Sequence, residues 1–392
     1  MQSTTWHLIT SEYPPQPGGV SDYTQLVAAG LAAAGDEVHV WCPAISEATD
    51  AAENETEHIE GVSLHRVMGR FGTVDLRRAG NLLDQFGSPR RLLVQWVPHG
   101  YGYRSMNLPF CLWLWQRARK SRDNVELMVH EPFLAFGEGS VTQDAAAIVH
   151  RLMTMILLRA ASRVWISIPA WENRFRPYAL GRRLSFRWLP VASNITVVDD
   201  PEGVRIIRAG YAPEGQKIVG HFGTYDRNIK EVLLQSLPSL LRTSADCTVL
   251  LLGRGSEAMR DDLIRIHPEL ANRVHATGPL AEAKLSRHIK ACDLMLQPYI
   301  DGASSRRTSL MVGLSHGMPI VTTSGRLTES LWFDSDAVAL IPVEDMAALV
   351  TATKGLLSDE TGRARLGVNA KALYHERFAV QRTLDALREV TA

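Results

Sequence analysis

Short apolar runs alternate with longer helical stretches along this chain, and the alternation starts twice. A strand–helix–strand order repeated this way admits few folds. It calls for parallel strands joined by right-handed crossovers, with helices on the sheet faces. Trp6-His7-Leu8-Ile9-Thr10 reads as a strand, and residues 11–19 as a Pro- and Gly-rich loop. Ser21 or Asp22 can cap a helix that runs to Ala34, and Gly35 stands where a helix ends. Residues 37–41 return as a strand, completing one βαβ unit.

Strands follow at 92–97, 126–129, 163–168 and 188–191, with helices over 107–122 and 144–161. Residues 199–216 turn polar and are punctuated by Gly and Pro, which reads as a linker. The second series has strands at 217–222, 248–252, 293–297, 320–322 and 338–341, and a helix over 229–242. The expectation is an α/β chain of two Rossmann-like, doubly wound domains facing a central cleft. Residues 1–198 form the first and 217–375 the second, with a helix in 376–392 returning to the first. In such sheets ligands bind beyond the carboxyl ends of the strands, so the cleft is the default site.

Composition narrows the function. A length of 392 residues exceeds one ordinary core and suits two. Lys plus Arg equals Asp plus Glu at 42 each, which argues against a nucleic-acid binder. The four cysteines Cys42, Cys111, Cys247 and Cys292 form no CxxC pair or Cys/His cluster, so neither zinc nor a disulfide framework is indicated. No signal peptide is visible, and no apolar run reaches the roughly 18–20 residues of a spanning helix. A cytoplasmic protein is expected.

Several stretches together resemble the family 4 retaining glycosyltransferases of the GT-B fold. They are SEYPPQPGGVSDYTQLVAAGLAAAGDEVHVW, HFGTYDRNIKEVLLQSL, SHGMPIVTTSGRLTESL and LLSDETGRARLGVNAKALYHERF, in the family's order over nearly the whole chain. The resemblance implies sugar transfer from a nucleoside diphosphate sugar to a hydroxyl acceptor with retention. The first domain would bind acceptor and the second donor. It places Lys230 in the family's lysine position, Thr224 in its arginine position, and His130 near the donor sugar and the acceptor. It also puts Ser304 and Val312 where the family carries two glutamates, and Glu329 in the donor loop. These departures keep two alternatives open: a non-catalytic nucleotide-sugar-binding protein, and a GT-B nucleotide-sugar epimerase.

The residues themselves suggest roles. Gly18-Gly19 precedes a helix, so backbone N–H groups and the helix terminus can receive a diphosphate; a plain tight turn is the rival. Arg227, Lys230, Arg306 and Arg307 lie in loops after strands and can stabilise a departing diphosphate, with Thr308 or Ser309 capping the next helix; a solvated basic surface is the rival. His130 can bond a sugar hydroxyl, and Glu131 can take the acceptor's proton or orient His130. His99, Tyr101 and Tyr103 offer a polar, aromatic acceptor wall. No metal is required when cations and helix termini hold the diphosphate. Residues 110–115, ahead of Arg117, Arg119, Lys120 and Arg122, read as a buried apolar stretch. The rival reading is peripheral contact with the inner face of a membrane.

Overall fold

A computed structural model of the chain describes residues 3–45, 56–102, 105–137 and 141–389. It divides into two compact units, Met1–Pro190 with Val380–Ala392, and Val191–Ala379.

Unit 1 is built on eight strands: β1 Thr5–Ile9, β2 Glu37–Trp41, β3 Glu57–Ile59, β4 Val62–His65, β5 Arg91–Trp96, β6 Asn124–Val129, β7 Ala161–Ile166 and β8 Ser185–Trp188. Their order is β3-β4-β2-β1-β5-β6-β7-β8. Every described pairing is parallel except β3 on β4. The central strands are buried along almost their whole length, which is why they read as continuous apolar runs. Helices Gly19–Ala33, Leu108–Gln116 and Val141–Ala160 provide crossovers.

Helix Val380–Arg388 belongs to unit 1 and packs on helix Gly19–Ala33. Leu384 lies so close to Gly30 that a Cβ there would come within 2.8 Å of Cδ1. Arg91 donates to the Leu387 carbonyl at 2.7 Å, and Arg388 pairs with the buried Asp36 at 3.0 Å.

Unit 2 carries β9 Lys217–Phe222, β10 Cys247–Leu252, β11 Val274–Ala276, β12 Leu294–Gln297, β13 Ile320–Ser324 and β14 Ala339–Pro342. Their order is β11-β10-β9-β12-β13-β14, and all described pairs are parallel. Both units are therefore the doubly wound α/β sheets the alternation implied.

Two boundaries differ from the sequence reading. The first unit ends at Pro190 rather than 198, because the next residues bond into unit 2: the Val191 amide donates to Ser305 and the Ser193 amide to the Tyr374 hydroxyl. Residues 199–216 are not an open linker, since Pro201–Tyr211 is a helix. Asp200 accepts from the Gly203 amide at 2.9 Å and Pro201 occupies the first turn, where its missing N–H costs nothing. The Pro and Gly that looked like breakers start a helix instead.

Candidate functional site

In unit 1 the loop after β1 leads into helix Gly19–Ala33. Its N-terminus is already occupied by a carboxylate. Glu12 Oε1 accepts from the amides of Val20 at 3.1 Å and Ser21 at 2.9 Å. Gly18 is the cap residue, and a Cβ on it would lie 2.1 Å from that oxygen. Gly18 thus makes room for Glu12, which corrects the reading of Gly18 as a ligand cradle. Gly19 faces open space. The carboxylate that fills this turn was present in the sequence six residues before Gly18.

His130 follows β6 and is held from several sides. Its amide donates to Trp96, and its carbonyl accepts from Ser167 at 3.2 Å and Trp171 at 3.1 Å. Its ring meets that of Tyr23 edge to face, with centroids 4.9 Å apart. Nε2 lies 2.8 Å from Gln95 Oε1. Burial lowers the ring pKa to about 3, so it is neutral. Gln95, not Glu131, orients the imidazole. Glu131 is half-buried next to it in the chain.

The expected aromatic wall does not form as proposed. Tyr101 is fully buried; its hydroxyl donates to the Gln95 carbonyl at 2.7 Å, and its ring stacks on Trp96 and Phe110. It is a core residue, because the apolar ring found a buried aromatic cluster and the hydroxyl a backbone acceptor. His99 is exposed on a short turn, Pro98–Gly100. Tyr103 lies outside the described residues.

In unit 2 the loop after β9 carries Thr224, which is exposed, and then helix Arg227–Thr243. Asp226 caps that helix, accepting from Asn228 and Ile229. Arg227 points to solvent and pairs with Glu231 at 3.0 Å. Lys230, half-buried, pairs with Asp262 of helix Ser256–Ile266. Both cations thus already have carboxylate partners. The Asp262 partner comes from another element and left no local signal.

The loops after β12 and β13 form one knot. The Leu327 amide donates to Asp301 and the Ala303 amide to Thr323. Gly302 has φ +89°, and a Cβ there would lie 2.1 Å from Thr328 Oγ1 and 2.3 Å from the Gly325 nitrogen, so only glycine fits. Arg306 and Arg307 both pair with Asp301. Burial raises the Asp301 pKa, but the Arg307 and Arg306 guanidiniums together outweigh it and hold the carboxyl below its ordinary value. Two guanidiniums on one carboxylate leave net positive charge. Arg307 also lies 4.9 Å over the Tyr299 ring.

Helix Thr308–Ser315 starts here, and no side chain caps it. Thr308 is its first residue, so the terminus presents backbone donors beside the two arginines.

Glu329 is turned inward. Its carboxylate accepts from the Ser305 amide at 3.1 Å, from the Ser305 hydroxyl, and from Trp332 Nε1 at 2.7 Å. Burial raises its pKa despite those bonds. It braces the arginine loop, which corrects its reading as a direct contact to donor hydroxyls.

Three buried polar atoms at this edge of the sheet have no partner: His221 Nε2, Gln297 Oε1 and the hydroxyl of Ser304. His221 Nδ1 lies 2.7 Å from the Leu296 carbonyl, which fixes that proton and leaves Nε2 an acceptor. A ligand's hydroxyl groups would satisfy such acceptors. Sequence reasoning missed His221 and Gln297, which sit inside apolar strands.

Both sheets with their helices are the GT-B fold. Sucrose-phosphate synthase from Thermosynechococcus elongatus superposes over 98% of this chain and 97% of its own, with TM-score 0.73 and 18% identity. Anabaena HepE in complex with UDP and glucose matches over 98% of each chain, with TM-score 0.70 and 16% identity. Residues 216–359 match the family model described as glycosyl transferases group 1, so unit 2 carries a glycosyltransferase group 1 domain. A phosphatidyl-myo-inositol mannosyltransferase of Mycolicibacterium smegmatis is 27% identical over 226 residues, 54% of this chain and 57% of that protein. The match thus spans just over half of that curated relative.

Proposed function

We propose that the chain is a glycosyltransferase that moves a sugar from a nucleoside diphosphate sugar to a hydroxyl acceptor, with retention. The observation that carries this reading is the arginine loop of unit 2. Arg306 and Arg307 share one carboxylate at the uncapped start of helix Thr308–Ser315. A departing diphosphate gains negative charge as the glycosidic bond breaks, and fixed guanidiniums and helix N–H groups stabilise it. His221 and Gln297 would accept from donor hydroxyls, and Lys230 would exchange Asp262 for a phosphate oxygen.

In unit 1, His130 meets a sugar hydroxyl and Glu131 takes the acceptor's proton. UDP is the nucleotide to try first, because HepE is seen with UDP and glucose.

Free nucleoside diphosphate affinity tests the donor site. Arg306→Ala/Arg307→Ala should weaken it by about 2–4 kcal/mol, roughly 30- to 1,000-fold, at fixed salt. Wild-type affinity in that variant sinks the assignment. Among the described residues no group of three or more His, Cys, Asp or Glu could hold a metal. The charge is instead assigned to arginines and a helix end, so turnover should persist in EDTA. Activity abolished by EDTA and restored by magnesium would overturn that part.

Peripheral membrane contact in unit 1 is supported by the outer face of helix Val141–Ala160. Ile148 and Leu152 are 55% and 42% exposed there, and Phe136 nearby is 50% exposed. The neighbouring helix ends carry exposed Arg119, Lys120, Arg122 and Arg159. Apolar residues with flanking cations suit an anionic bilayer surface. Among the described residues no helix is long and apolar enough to cross a membrane.

A further inference from the structure

His130 and Gln95 form a buried pair whose hydrogen-bond arithmetic has one solution. Gln95 lies on β5 and is fully buried, and His130 follows the neighbouring strand β6 and is 8% exposed. The contact joins His130 Nε2 to the amide oxygen Oε1 at 2.8 Å. An amide oxygen only accepts, so the proton in that bond belongs to the ring. A neutral imidazole has a single N–H, which leaves Nδ1 with a bare lone pair. Nδ1 has no hydrogen-bond partner among the described residues, and neither the Gln95 NH2 nor the Tyr23 hydroxyl has one.

The pair is held rigidly. The Tyr101 hydroxyl grips the Gln95 carbonyl at 2.7 Å, and three hydrogen bonds clamp the His130 backbone. Gln95 therefore sets the ring's orientation and its tautomer together. We propose that Gln95 is a positioning residue that keeps the proton of His130 on Nε2, so that His130 offers Nδ1 as a hydrogen-bond acceptor to a sugar hydroxyl. The hydroxyl ligand rests on the sugar-transfer reading above, whereas the tautomer does not. Burial holds the ring neutral across the working pH range, which keeps it an acceptor and excludes it as the group that retains the acceptor's proton. That leaves the proton to Glu131.

The first measurement is the nitrogen-15 spectrum of histidine-labelled protein without ligand, with His130→Gln to assign the signal. At pH 7 His130 should show a protonated Nε2 and an unprotonated Nδ1. A proton on Nδ1 would mean that the amide is turned over and donates to the ring, and the proposal would fall. Gln95→Met keeps the volume but removes the acceptor, so the two tautomers should mix. Gln95→Glu keeps an acceptor and adds charge; it should preserve Nε2–H and raise the ring's pKa by at least one unit.

Where sugar transfer is measured, Gln95→Met should lower kcat about tenfold, the scale of one misdirected hydrogen bond, with donor KM unchanged. Gln95→Glu should add an ionisation to the pH profile of kcat that wild type lacks. An unchanged tautomer in Gln95→Met overturns the positioning role even if transfer is lost. A correct tautomer in a protein that transfers no sugar would sink the proposed function and leave this assignment standing.

Discussion

Glu12 takes the place that a ligand's anion was expected to fill. Its carboxylate satisfies two first-turn amides of helix Gly19–Ala33, as a capping side chain does, but from outside the helix. Gly18→Ala would drive a methyl group into that carboxylate. Expelling it forfeits both bonds, so the variant should lose about 1–2 kcal/mol, the scale of a lost helix cap. Urea unfolding would measure this, and a wild-type midpoint would show that the cap is dispensable. The same substitution should leave nucleoside diphosphate affinity unchanged, because that affinity is assigned to Arg306 and Arg307. Loss of nucleotide affinity in a stable Gly18→Ala protein would return the glycine pair to the ligand.

Helix Val141–Ala160 turns the usual distribution of residues round. His150 and Thr154 lie on its buried side, while Ile148 and Leu152 face solvent. Replacing both with serine should leave the core intact and reduce binding to anionic vesicles about tenfold or more, since burial of each side chain is worth on the order of 1.5–3 kcal/mol. Cosedimentation with phosphatidylglycerol vesicles, against phosphatidylcholine alone, is the measurement. Equal binding by variant and wild type would remove the membrane reading.

How well elements could be read from the chain follows the same physics. Strands 37–41 and 217–222 were legible to the residue, because a charged residue opens each and the apolar run is unbroken. The β3–β4 hairpin was not: Glu57-His58-Ile59 is exposed throughout and has no apolar face to betray it. The arginine loop was recognisable as cationic, yet its carboxylate Asp301, five and six residues earlier, was not read as a partner for both guanidiniums. Tyr101 shows the limit for aromatics, since a ring with a hydroxyl suits a sugar face and a core equally well, and only packing decides.

Across the whole molecule, the backbone passes from unit 1 to unit 2 after Pro190 and returns after Ala379. Unit 2 is thus an insertion within unit 1, and this order has a consequence for synthesis. While the chain leaves the ribosome, residues 1–190 emerge first but lack the helix that carries Leu384 and Leu387, both buried in the finished protein. All of unit 2 is made before that helix appears. The N-terminal sheet must therefore wait with the groove beside Gly30 and Asp36 uncovered until the last turns arrive, so the later-made unit can finish folding first. Chains arrested before residue 380 should show a protease-resistant unit 2 and a unit 1 still open to cleavage, and adding a peptide of residues 380–389 should close it. Full resistance of unit 1 in the arrested chain would mean that its sheet completes itself without the returning helix. In the living cell, that interval is when the nascent protein would most need a chaperone.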